Sequence, residues 1–199
     1  MPQVRSVVAC LWAAFVLGWL VLAQFNKKAS SSVPWRARAY GLRVVLLLAV
    51  LGLALLRRHT GRRPGGGFPT FAGHLLSQHP GVAGQWVGVV VMVIGIGFAF
   101  WARMHLGRNW GMPMSLREGH ELVTSGPYAY VRHPIYTGIL LTTIGTTLAL
   151  GLIGLLFFAV SFVYFLVSAR TEEQMMLAQF PDTYPAYRRR TKMLIPFVL

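Results

Sequence analysis

The chain holds five acidic residues, Glu118, Glu121, Glu172, Glu173 and Asp182, and none lies in its first 117 positions. A site that needs a carboxylate must therefore be built in the C-terminal part. Glu172 and Glu173 follow a long uncharged stretch. Adjacent glutamates are costly near hydrocarbon and disfavoured at a helix C-terminus, so they call for a cation, either a protein arginine or a ligand. Upstream stands Val131-Arg132-His133-Pro134-Ile135-Tyr136, preceded by Gly126-Pro127, a turn pair. His133 before Pro134 is pushed out of the helical region, and Pro134 suits a first helical position. A helix opening at Pro134 presents free N–H groups and a positive dipole end beside Arg132 and His133. That combination suits a carboxylate or a phosphate. Zinc is not expected: there is no His-Glu-x-x-His, and Cys10 is the lone cysteine.

These clusters flank Ile135–Ala169, a stretch without charge. As one helix it would be about 50 Å long, too long for a hydrocarbon core of about 30 Å. It reads as a hairpin of two helices, Ile135–Leu150 and Leu152–Ala169, turning near Gly151 and Gly154. A hairpin returns the chain to the face it left, so the two clusters should be neighbours in space.

The whole composition fits a membrane protein. Of 199 residues, 55% are hydrophobic and 12% charged, about half the charge of an ordinary soluble domain. The net charge of +14 is carried between long apolar runs, which favours basic loops at a membrane over nucleic-acid binding. Further apolar runs are Val7–Phe25, Gly41–Leu56 and Trp86–Ala102. The first lacks a small-residue cleavage site and reads as a span rather than a signal peptide. With the hairpin, the expectation is an all-α integral membrane protein of about five transmembrane helices.

Placing the C-terminus inside gives inner segments with five, four and five Lys/Arg. The outer segments then hold one, four and none. This bias predicts cytosolic polar clusters. Arg57, Arg58, Arg62 and Arg63 run against it. Trp86, Trp101, Trp110 and Tyr187 read as interface anchors, and His105 as an ordinary interface histidine. Gly95-Ile96-Gly97 reads as close helix packing. Arg188-Arg189-Arg190 with Lys192 reads as a contact to membrane lipids.

The C-terminal part, roughly Leu106 to Leu199, resembles the isoprenylcysteine carboxyl methyltransferase family, with phospholipid N-methyltransferases as more distant relatives. The resemblance rests on Gly-His-x-Leu-Val-Thr-x-Gly-Pro-Tyr, Val-Arg-His-Pro-x-Tyr-x-Gly, the Glu-Glu pair, Tyr-x-x-Tyr-Arg and a terminal Leu-Ile-Pro-Phe. It divides the chain into N-terminal membrane helices, residues 1–105, and a catalytic region, residues 106–199. It implies binding of S-adenosylmethionine from the cytosolic side and a lipophilic acceptor entering from the bilayer. The implied cofactor contacts are His120, Glu121, Leu122, Val123, Tyr128, His133, Pro134, Ile135, Tyr136 and Glu172. The family's acceptor-orienting arginine aligns with Ser168, which leaves Arg170 as the candidate for an anionic acceptor group.

The residues themselves suit this cofactor. Arg132 and His133 at the helix start suit its carboxylate, and Glu172 and Glu173 its ammonium or ribose hydroxyls. Tyr128 and Tyr136 suit the adenine or the sulfonium. In-line methyl transfer is served mainly by positioning. An amine acceptor would also need a base, His133 or Glu173. Two other classes stay open from the sequence. An NADPH-dependent membrane reductase of the sterol type would favour more arginine and no glutamate pair. A non-catalytic lipid-binding module would need no converging polar clusters.

Overall fold

The computed structural model describes residues 2–24, 81–107, 110 and 121–196. The apolar run Gly41–Leu56, the basic loop from Arg57 to Arg63 and the candidate His120 lie outside them.

The described residues form helices and no extended strands. Helix α1 spans Pro2–Ala23 and α2 Val82–Leu106. A short 3-10 turn, Gly126–Ala129, precedes α3, Pro134–Leu150. Helix α4 runs Leu152–Gln179 and α5 Tyr184–Arg190. Three of them, over Gln3–Ala23, Val82–Leu106 and Gly154–Gln179, are long and apolar enough to cross a bilayer; α3 is shorter. Leu17, Leu20 and Val21 on α1, Val90 and Ile94 on α2, and Leu156 and Val163 on α4 are exposed. Water would not tolerate so much continuous apolar surface, whereas lipid matches it. This is an all-α, multi-pass integral membrane fold.

Helices α2 and α3 make the most intimate contact. A Cβ on Gly88 would lie 2.6 Å from the Gly145 carbonyl oxygen, and one on Gly95 would lie 2.8 Å from that of Gly138. The two glycine pairs let antiparallel backbones touch around fully buried Met92. Gly95 thus packs as its sequence context suggests, whereas Gly97 faces open space. Helix α3 also carries a run of threonines. Thr142, Thr146 and Thr147 donate to carbonyls one turn back, each at 2.9 Å. Folded back this way, the hydroxyls need no water. Thr146 Oγ1 also accepts from Trp12 Nε1 at 3.2 Å, tying α1 to α3.

Helix α3 starts at Pro134 with His133 as its N-cap and ends at Gly151, whose φ of 75° turns the chain directly into α4. The start matches the expectation from the His-Pro pair. The end of α4 does not match: the helix continues beyond Ala169 to Gln179, so Glu172 and Glu173 lie inside it. Gln174, Met175, Met176 and Leu177 are good helix formers, and the stop comes only at Phe180, the residue before Pro181. The glutamates therefore sit within a continuous helix and do not meet the unfavourable dipole end.

Candidate functional site

The site forms where the N-terminus of α3 meets the C-terminal part of α4. Two short segments set its geometry. Residues 131–133 pair with the tail after α5: Val131 bridges Lys192, Arg132 N donates to Lys192 O at 2.8 Å, and His133 N donates to Met193 O at 3.1 Å. Thr137 Oγ1 adds a bond to Leu194 O at 2.6 Å. Arg132 and His133 are thereby held with side chains toward α4, whose inward face includes Phe165, Ser168, Ala169 and Glu173.

The glutamates take different tasks. The Glu173 side chain is 5% exposed and accepts from Arg132 Nε at 2.6 Å; Arg188 Nε lies 3.3 Å from its other oxygen. Arg132 is itself 8% exposed and also donates to the carbonyls of Arg188 and Thr191. This is a closed strut joining α4, α5 and the loop before α3. Glu172 is more open, 23% exposed, and accepts from the Tyr136 hydroxyl. His133 lies between the two, with Nδ1 3.4 Å from Glu172 and Nε2 3.7 Å from Glu173. Burial disfavours the imidazolium, but the paired carboxylates outweigh it, so the His133 pKa is raised above its ordinary value. His133 Nε2 is buried and makes no hydrogen bond among the described residues.

An aromatic wall runs from the polar cluster toward the apolar interior. His133 stacks on Tyr136 with centroids 5.4 Å apart, and Tyr136 stacks on Phe165 at 4.6 Å. Pro134 and Ile135 are buried in the same turn. Tyr128 is buried in the 3-10 turn, where its carbonyl accepts from the Tyr187 hydroxyl at 2.7 Å. Burial raises both phenols, that of Tyr187 to about 12.

The structure therefore gathers Arg132, His133, Pro134, Ile135, Tyr136, Glu172 and Glu173, with Tyr128 in the adjoining turn. Leu122 and Val123 are half-buried and Glu121 is exposed in the irregular stretch before that turn. Arg170 is not brought in. It is exposed, because it lies two positions before Glu172 and about 100° per residue places the two on opposite sides of α4. Glu173, considered above as a base, is committed to two arginines.

Other residues enter that the sequence pattern did not single out. Arg103, at the end of α2, is 3% exposed and donates to Leu22 O and Gly107 O, both at 2.8 Å. Its guanidinium sits 4.6 Å over the Trp110 ring. His105 Nε2 is 2.9 Å from Ser125 Oγ, and its ring covers Gly126, whose φ of 58° and crowded Cβ position both demand glycine. Trp110 and Tyr187 are buried as parts of this framework, whereas Trp86 and Trp101 are exposed as interface anchors would be. A charge near the end of an apolar helix was the available signal for Arg103, but snorkelling explains the same pattern.

The fold and the cluster define a multi-pass membrane protein whose polar site is built where two packed helices meet a docked tail. Residues 86–178 match the model of the isoprenylcysteine carboxyl methyltransferase (ICMT) family. A protein-S-isoprenylcysteine O-methyltransferase of Schizosaccharomyces pombe is 41% identical over 81 residues, 40% of this chain and 34% of that protein. The cobalt-zinc-cadmium resistance protein CzcN of Cupriavidus metallidurans is 34% identical over 126 residues, 61% of this chain and 56% of that protein. The solved eukaryotic intramembrane Ras methyltransferase ICMT superposes with a TM-score of 0.52 at 30% identity, covering 57% of this chain and 43% of that one. The chain thus spans less than two thirds of the length of each of these relatives. Residues 86–178 are thus similar to the isoprenylcysteine carboxyl methyltransferase family.

Proposed function

We propose that this protein transfers a methyl group from S-adenosylmethionine to a lipophilic acceptor at the membrane. The observation that carries the reading is the division of labour between two adjacent glutamates. Glu173 is sealed against Arg132 and Arg188, while Glu172 keeps accessible surface beside Tyr136 and His133. A fixed carboxylate against aromatic rings suits a ligand with an ammonium, a sulfonium and ribose hydroxyls. The buried His133 Nε2 without a hydrogen bond supplies a donor for a ligand oxygen. The similarity of residues 86–178 to the isoprenylcysteine carboxyl methyltransferase family supports the same cofactor.

In this reading Glu172 binds the ammonium or a ribose hydroxyl, and Tyr136 orients Glu172. Pro134 and Ile135 shape the wall, with Tyr128 at its edge. Bound S-adenosylmethionine supplies an electrophilic methyl group. Arg132 and Glu173 act as positioning residues, since each is already engaged by protein groups. Glu121, Leu122 and Val123 add a further wall toward the donor, and His120, outside the described residues, is expected to contact the donor as well. The acceptor enters from the bilayer, and the Lys/Arg bias favours a site that faces the cytosol. The shorter α3 forms a hairpin with α4 and is read as a further membrane helix; the expected fifth, over residues 41–56, lies outside the described residues.

Equilibrium binding of labelled S-adenosylmethionine to the purified full chain in detergent tests the reading. Binding is expected, NADPH should not compete, and Glu172→Ala should abolish the signal while the protein stays folded. Retained binding in that variant would overturn the assignment of Glu172.

A further inference from the structure

Beside the strut lies a cavity of about 230 Å³ lined by Arg132, Arg188, Arg189, Arg190, Thr191 and Lys192. Five cations surround it, and Glu173 engages two of them, Arg132 and Arg188. Arg189, Arg190 and Lys192 are exposed. Like charges gathered this closely repel one another unless an anion joins them. The cavity is walled by docked backbone, since the tail that carries Thr191 and Lys192 is pinned to residues 131–133. Its place in the fold also matters. Helix α5 follows the apolar helix α4 after Phe180–Thr183, and Tyr130 and Ile195, near the ends of the paired segments, are exposed. A basic cavity beside exposed aromatic and aliphatic side chains at the end of a spanning helix suits a phosphate that carries acyl chains.

We propose that this cavity binds the phosphate headgroup of an anionic phospholipid and that the bound lipid tunes the neighbouring site through Arg188. Arg188 is 52% exposed and lies 3.3 Å from Glu173, so it reaches both the cavity and the strut. A headgroup phosphate competes for its guanidinium. Glu173 then keeps more of its negative charge beside His133 and Glu172, which strengthens attraction for a cationic ligand. The headgroup site stands apart from the methyltransferase reading; the coupling rests on it.

The test uses the full chain reconstituted in vesicles of phosphatidylcholine with or without phosphatidylglycerol. Native mass spectrometry after gentle detergent release should find phosphatidylglycerol retained in preference to phosphatidylcholine. Arg189→Gln/Arg190→Gln should weaken retention about fivefold per cation removed, with unfolding temperature unchanged. Phosphatidylglycerol should raise S-adenosylmethionine affinity of the wild type about fivefold and that of Arg188→Gln not at all. Equal retention of both lipids would overturn the site. Displacement by inorganic phosphate alone would make it a free-anion site, and displacement by S-adenosylmethionine would make it the donor's own carboxylate pocket; either overturns the proposal. Donor affinity that ignores the lipid refutes the coupling. If the wild type binds no donor in any vesicle, the methyltransferase reading fails while lipid retention is still measured.

Discussion

Replacing Arg132 by leucine should unfold the site far more than its position in a loop suggests. The pair it forms with Glu173 is dry, with side chains 8% and 5% exposed and an N–O distance of 2.6 Å. Removing one partner of a buried pair leaves an uncompensated charge and costs about 3–5 kcal/mol. Arg132 also serves the carbonyls of Arg188 and Thr191, which pushes the loss toward the upper end. Arg188 cannot take over: it is half exposed, and a pair of that kind is worth about 0–1 kcal/mol. For a chain of this length the unfolding midpoint should fall by roughly 10 °C. The assay is intrinsic-fluorescence unfolding of detergent-purified Arg132→Leu, Glu173→Leu and the double variant. Removing both leaves neither charge of the buried pair uncompensated, although the Arg188 and Thr191 carbonyls still lose their donor, so the double variant should lie well above the sum of the singles, with a coupling of about 3 kcal/mol. A single-variant shift below about 2 °C, or strictly additive losses, would refute the strut.

Other consequences are equally direct. The raised His133 pKa stabilises the fold most below the unfolded value near 6.5, and that contribution is lost as pH rises through the folded value. The unfolding midpoint should therefore fall above that pH in the wild type and respond less in His133→Gln; identical pH profiles would refute the clamp. Tyr136→Phe removes the donor to Glu172 and should weaken S-adenosylmethionine binding about tenfold, read by equilibrium binding, while Tyr164→Phe on α4, whose buried hydroxyl makes no hydrogen bond among the described residues, should change it little. Gly138→Ala places a Cβ 2.6 Å from Ala99 N and should cost about 1–3 kcal/mol in thermal unfolding. Gly97→Ala meets open space and should be neutral or stabilising by up to about 1 kcal/mol.

Much of this layout is legible in the sequence because bilayer physics writes it in long apolar runs. The start of α3 is legible to the residue, since His133-Pro134 leaves the backbone little choice. The approach of Tyr136 to Glu172 follows from the uncharged stretch between them being too long for one crossing. The far end of α4 is less legible. A charge at Arg170 marks where apolar sequence stops, but the helix stops where backbone propensity stops, at Phe180. The separate fates of Glu172 and Glu173 are invisible to pattern, because adjacent residues on a helix point about 100° apart and only the packing decides which meets Arg132. Trp110 and Tyr187 are buried by partners, Arg103 and the Tyr128 carbonyl, that no spacing rule connects to them.

The pairing of residues 131–133 with the tail makes the molecule report on itself. The amides of Arg132 and His133 lie outside any helix, yet both are bonded to tail carbonyls. They should exchange with heavy water slowly while the tail is seated and quickly once it lifts. Two loop amides thus offer a readout of pocket integrity that needs neither donor, acceptor nor turnover.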